Sequence, residues 1–160
     1  MASERRPNGR TAEDAQLDDT NLQLLAELQA DARLSLAELG RRVGLSSPAV
    51  AERLGRLERD GVILGYHARL DPRALGLALS AVIRVRPAPL QLKQVATVAR
   101  ESAEVVECRR ITGEDCYVML AHVRSVEHLE ELIDRFAAHG QTTTSIVQSA
   151  PVPPRGIDVD

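Results

Sequence analysis

The chain has 160 residues, 44% of them apolar, with 20 Lys and Arg against 23 Asp and Glu for a formal net charge of −3. One Phe, two Tyr and no Trp leave Leu, Val, Ile and Ala to build the core, and they exclude an aromatic platform for stacking single-stranded bases. The acidic balance excludes a polyanion partner at the level of the whole chain, so any nucleic-acid surface has to be local.

The length suits one domain or two small ones. No apolar run approaches the roughly 18 residues that cross a bilayer, and the polar start carries no secretory segment, so a cytoplasmic protein without a membrane partner is expected. Cys108 and Cys116 are too few for a disulfide framework and lack the paired spacing of a zinc site. His67, His122, His128 and His139 are scattered, with no carboxylate at ligand spacing. No metal and no cofactor is expected.

Residues 1–16 are rich in Arg, Glu, Gly, Asn and Pro without apolar periodicity and read as a disordered tail. Asp18 or Asp19 caps a first helix that sets Leu17, Leu24, Leu25 and Leu28 on one face and ends near Asp31. A second, shorter helix runs from Ser35 through Leu36, Leu39 and Val43 to Gly44, where glycine takes the left-handed conformation that stops it. Ser47 caps a third helix with Pro48 in its first turn; Val50, Leu54 and Leu57 form the buried stripe, and Gly61 ends it.

Two helices joined by a tight turn at Gly44-Leu45-Ser46 have the spacing of a helix-turn-helix, with Gly40 small enough for a close crossing and Leu45 placed to fill the gap. The third helix turns Ala49, Glu52, Arg53 and Arg56 away from its stripe, as a helix entering the major groove of duplex DNA must. Between residues 33 and 69, seven arginines against four acidic residues give a local +3, a basic module hidden by the overall charge.

Residues 62–70 read as a strand broken at Gly65, followed by a one-turn helix over 71–76, so that 62–78 form a linker strand and hinge after a DNA-binding domain at 17–61. From residue 79 the order becomes strand, helix, strand, strand, helix, strand. The strand at 79–86 alternates Ala81, Ile83 and Val85 with Ser80, Arg84 and Arg86. A helix over 90–102 gathers Leu92, Val95, Ala96 and Ala99. Strands at 104–111 and 116–123 flank the loop Thr112-Gly113-Glu114-Asp115. Ser125 caps a helix carrying Leu129, Leu132, Ile133 and Phe136, and a last strand covers 141–150. A hairpin register with Ile111 opposite Cys116 sets Cys108 against Met119, so the two thiols do not meet. Residues 151–160, rich in Pro, read as an extended, loosely held tail.

The order βαββαβ is the split βαβ of ferredoxin-like folds, an antiparallel sheet with both helices on one face. The other sheet face is left bare by its own chain, and a homo-oligomer is expected to cover it.

These residues resemble the Lrp/AsnC (feast/famine) family of transcriptional regulators. The resemblance spans about residues 17–150 and rests on Leu17-Asp18-Asp19, on Leu36-Ala37-Glu38-Leu39-Gly40-Arg41-Arg42-Val43-Gly44-Leu45-Ser46, on Arg53-Leu54-x-x-Leu57-Glu58-x-x-Gly61-Val62-Ile63-x-Gly65-Tyr66, and on Thr112-Gly113-Glu114-Asp115. It implies an α+β protein: an N-terminal winged helix-turn-helix, a linker strand that pairs with a partner subunit, and a C-terminal ACT-like sensing domain over residues 79–150. That domain dimerises, assembles further into octamers in some members, and binds an amino acid or related metabolite between subunits.

Carried onto this chain, Ser46, Ser47, Ala49, Glu52, Arg53 and Arg56 are the DNA-contact candidates, with Glu52 either accepting from cytosine or pairing with Arg56 four residues on. A homodimer implies a near-palindromic operator with half-sites about one turn, roughly 10 bp, apart. Thr112, Gly113, Glu114, Asp115 and Tyr117, with Thr142, Thr144 and Ser145 on the last strand, are the effector-site candidates: glycine admits a carboxylate close to backbone N–H groups, and an acidic side chain receives an ammonium. Cys116 stands where many members carry Asp, a departure from their amino-acid contacts. The alternatives are an architectural DNA-binding protein with a purely oligomerising second half, and an enzyme like the tetrapyrrole decarboxylases that resemble this family. The latter would need more acid-base groups than His67 supplies.

Overall fold

The computed structural model describes residues 17–159, and the tail expected over residues 1–16 lies outside the described residues. The chain divides into two compact units, one of residues 17–68 with 152–159 and one of residues 69–151.

In the first unit, α1 (Asp19–Ala30) starts where the Asp18 carboxylate accepts the Asn21 N–H at 2.8 Å. The next helix, α2 (Leu36–Val43), is capped by the Ser35 hydroxyl and ends at Gly44, whose φ of 71° is the left-handed turn expected there. The cap of α3 (Ser47–Arg59) is Ser46 and not Ser47: Ser46 Oγ accepts the Ala49 N–H at 3.4 Å. Extended backbone at Ser46, directly after the Gly44-Leu45 turn, lets its hydroxyl reach over the first helical turn, and Pro48 still lies where no N–H partner is lost.

Leu24, Leu39, Val50, Leu54 and Leu57 close one core, with Leu17, Leu25, Leu28, Val43 and Leu45 packed round it. Gly40 is buried, and a Cβ built on it would lie 2.3 Å from the Leu45 carbonyl oxygen. The Leu45 N–H donates to the Gly40 carbonyl at 2.8 Å, so the turn folds directly onto the backbone of α2.

Besides the cap, two further expectations bear on this unit. Residues 62–70 form no strand: the N–H groups of Val62 and Ile63 donate to the Leu57 carbonyl, finishing α3, and the residues beyond find no strand partner among the described residues. An extended segment becomes a strand only where another takes up its backbone groups. The terminal segment is also not loose. Gln29 of α1 donates to the Ile157 carbonyl at 2.8 Å and accepts the Ile157 N–H at 2.6 Å, a paired bond that a free amide side chain offers like a strand edge.

The second unit opens with a 3-10 turn (Arg73–Leu75) ended by left-handed Gly76. It continues as β1 (Leu79–Pro87), α4 (Leu92–Glu101), β2 (Val105–Arg110), β3 (Tyr117–Val123), α5 (Val126–Ala137) and β4 (Gly140–Ile146). The sheet runs β2-β3-β1-β4, with every neighbouring pair antiparallel. Register decides the faces, because residues directly opposite one another share a side. Ala81, Ile83 and Val85 lie against Ala121, Met119 and Tyr117, and this face is buried beneath Val95 and Ala99 of α4 and Leu129, Leu132 and Phe136 of α5. Cys108 pairs with Met119, as the hairpin register requires.

At the edge of this core, Glu104 accepts from His128 Nε2 at 2.8 Å and from Arg135 Nη2 at 2.7 Å. The His128 ring proton sits on Nε2, since Nδ1 accepts the Arg124 N–H. Burial raises the Glu104 carboxyl, but its own backbone N–H, His128 and Arg135 together outweigh that and hold it at about 2.

Two outcomes follow from this packing. Gly40→Ala should destabilise the helix-turn-helix unit by about 1–3 kcal/mol, the range for forcing a methyl into a filled site, read by chemical denaturation. Because the folded Glu104 carboxyl lies below its ordinary value, its contribution is complete above about 4.5 and is lost as pH falls towards about 2. Glu104→Gln should therefore be less stable than wild type at neutral pH and lose less on acidification, the gap between the two closing as pH falls from about 4.5 towards about 2, read by circular dichroism during chemical denaturation at each pH.

Candidate nucleic-acid interface and effector loop

The polar face of α3 is assembled as its spacing predicts. Val50, Leu54 and Leu57 are buried on one side, and Ala49, Glu52, Arg53 and Arg56 line a notch of about 300 Å³ that Asp18 and Asn21 complete from the start of α1. Ser46 and Ser47 open the helix, whose first N–H groups lie at that end. Ser46 is engaged as the cap. Glu52 accepts from Arg56 Nη2 at 3.2 Å, the pairing that competes with a cytosine contact.

Sequence reasoning missed the partners that neutralise this surface. Arg53 is bonded to Asp18 and Asn21, Arg42 reaches Glu27 at 2.5 Å, and Arg41 and Arg42 share Glu38. The guanidinium of Arg41, then that of Arg42, draws the Glu38 carboxyl down to about 2. Asp18, the cap of α1, and Glu27 within it lie outside the window counted for local charge, and only packing brings them in. The detectable signal was the acidic start of α1 ahead of a basic third helix.

In the second unit the loop Thr112-Gly113-Glu114-Asp115 forms the expected hairpin end, with the Ile111 N–H donating to the Cys116 carbonyl at 2.9 Å. Gly113 has φ 103°, a conformation that favours glycine, and is exposed together with Thr112. The loop's two carboxylates are already occupied: Glu114 accepts from Arg86, and Asp115 lies 3.7 Å from Arg84. These arginines alternate with the core residues of β1, which puts both on the sheet face away from the helices. The alternation was visible in the sequence; the loop lying over them was not.

The remaining effector candidates are not brought together. Tyr117, expected beside the loop, points into the helix-covered core, 7% exposed, and donates its hydroxyl to the Leu92 carbonyl at 3.0 Å. Thr142 and Thr144 pair with Val85 and Ile83 and so face the helices, where Thr144 Oγ1 is buried without a partner among the described residues. Ser145 pairs with Val82 and faces the opposite side. Period-two alternation separates neighbours on a strand, so three hydroxyls within four residues could not all serve one pocket. Among the described residues no group of His, Cys, Asp and Glu is placed to hold a metal ion, and no helix is long and apolar enough to cross a membrane.

Comparison with known proteins agrees with this geometry. Residues 17–58 match the AsnC-type helix-turn-helix domain, and residues 80–157 match the Lrp/AsnC ligand binding domain. The uncharacterized HTH-type transcriptional regulator YezC of Bacillus subtilis is 43% identical over 134 residues, covering 84% of this chain and 95% of its own. The HTH-type transcriptional regulator LrpA of Mycobacterium tuberculosis is 41% identical, covering 82% and 89%. A solved structure of the feast or famine regulatory protein from M. tuberculosis, complexed with L-methionine, superposes with a TM-score of 0.83 at 38% identity, over 88% of this chain and 98% of that one. With a capped helix-turn-helix, a ferredoxin-like sheet unit and relatives matched over nearly their whole length, the chain belongs to the Lrp/AsnC family of transcriptional regulators.

Proposed function

We propose that this regulator reads a near-palindromic operator as a homodimer and adjusts its binding or assembly to an amino acid or closely related metabolite. The observation that carries the DNA reading is the α3 face: capped, solvent-facing and edged by Ser46, Ser47, Ala49, Glu52, Arg53 and Arg56, with the apolar stripe turned wholly inward. Helix N–H groups and Ser47 suit phosphates, and Arg53 and Arg56 suit guanine edges or phosphates. Acting on DNA, it works in the cytoplasm.

The effector reading is supported by the L-methionine held by the M. tuberculosis relative and by the loop's own chemistry. A zwitterion offers a carboxylate to Arg84, Arg86 and the Gly113 N–H, and an ammonium to Glu114 and Asp115, exchanging with the ion pairs present without it. Those pairs are surface-exposed and contribute little by themselves, so exchange is cheap. The dimer is supported by the sheet face opposite the helices, where Val82, Val118 and Leu120 lie half-buried in a single chain.

Arg56→Ala should weaken binding to a duplex selected by the wild-type protein by about tenfold or more, in line with roughly 1–3 kcal/mol per base contact, and leave the mass by light scattering unchanged. Thermal-shift screening with single amino acids at millimolar concentration should raise the midpoint for at least one. A shift indifferent to DNA sequence, with no amino-acid response, selects the architectural alternative.

A further inference from the structure

Among the described residues, Arg53 makes all of its hydrogen bonds through one nitrogen. Nη1 donates to Asp18 Oδ1 at 2.9 Å, to Asp18 Oδ2 at 2.6 Å and to Asn21 Oδ1 at 3.0 Å. Nε and Nη2 donate to no group among the described residues, and the side chain stays 34% exposed in the notch it shares with Ala49, Glu52 and Arg56. A guanidinium is planar, so anchoring Nη1 fixes the direction of the whole group. The edge left over, Nε with Nη2, is the parallel donor pair that forks onto guanine O6 and N7 or onto two phosphate oxygens.

We propose that Asp18, assisted by Asn21, is a positioning residue for DNA reading: from the start of α1 it holds Arg53 by Nη1 so that the Nε–Nη2 fork is oriented before the duplex arrives. The proposal rests on the recognition-helix reading above and adds the residues that aim it. Orienting a long side chain in advance removes the entropic penalty of immobilising it on binding, worth roughly two- to tenfold in affinity. The hydrogen bond from Arg53, followed by that from the Asn21 N–H, keeps the Asp18 carboxyl below its ordinary range, so the anchor is ionised throughout the neutral range.

The sign of the effect separates this from a passive ion pair. A carboxylate beside a phosphate-facing helix repels DNA, so an Asp18 that merely competes for Arg53 should weaken binding, and removing its charge should tighten it. Asp18→Asn is the informative variant, because asparagine caps a helix as well as aspartate while losing the charge that anchors Arg53. Wild type, Asp18→Asn, Arg53→Ala and the double variant should be titrated by fluorescence anisotropy against a duplex selected from a randomised pool by the wild-type protein and against an unselected duplex of equal length, with thermal unfolding measured in parallel.

The expected result is that Asp18→Asn weakens the selected duplex by about fivefold, leaves the unselected one and the unfolding midpoint unchanged, and has no effect once Arg53 is Ala. Equal or tighter binding by Asp18→Asn, or a loss on both duplexes that tracks a fall in the midpoint, would overturn the proposal. If Arg53→Ala itself binds the selected duplex like wild type, the assignment of Arg53 to the DNA face fails with it. An impaired Arg53→Ala beside an unimpaired Asp18→Asn removes the positioning role alone.

Discussion

The DNA-binding unit depends on the contact of two backbones at Gly40. The Leu45 carbonyl occupies the space a side chain would need, and the Leu45 N–H closes back onto the Gly40 carbonyl. Once the turn is seated there, left-handed Gly44 redirects the chain and Ser46 caps the next helix within two residues. The axis of α3 and the side it shows to solvent are then set by the burial of Val50, Leu54 and Leu57. The polar face is therefore a consequence of where the apolar stripe must go. Its orientation relative to α1 is reinforced by the bonds from Arg53 to Asp18 and Asn21.

A comparable constraint organises the sheet unit. Residues opposite one another in β1, β3 and β4 share a side, so Ile83, Met119 and Thr144 are committed to the helix-covered core together, while Arg84, Val118 and Thr143 are committed to the other face. The glycine-containing loop between β2 and β3 returns its carboxylates over Arg84 and Arg86. An acidic loop over two arginines is nearly neutral as a whole and remains polar.

Charge also has to be read in place. The chain is acidic by three charges, the helix-turn-helix segment is basic by count, and the folded segment is less basic than that count, because Asp18 and Glu27, from outside the counted window, pair with its arginines. On α3 the cationic side chains that stay partly exposed beside these pairs include Arg53 and Arg56.

Most of the element order was legible in the sequence, because it is written in local signals: a cap at Asp18 or Asp19 and one at Ser125, a left-handed glycine at 44, and a hydrophobic period that changes from helical to alternating. Those signals act within one or two turns and need no knowledge of the rest of the chain. Residues 62–70 have no strand partner among the described residues, because a strand is a property of two segments, and the resemblance assigns the second one to a partner subunit. The clustering of Thr142, Thr144 and Ser145 failed for a related reason: nearness along a strand is opposed by its pleat. By itself the sequence determined the helices, the register of the hairpin and the residues of α3 that face outward. Only the tertiary structure decided which groups those residues meet, drawing Asp18 to Arg53, Arg86 to Glu114 and Gln29 to Ile157, since pairings across 28 to 128 residues depend on packing that no local pattern encodes.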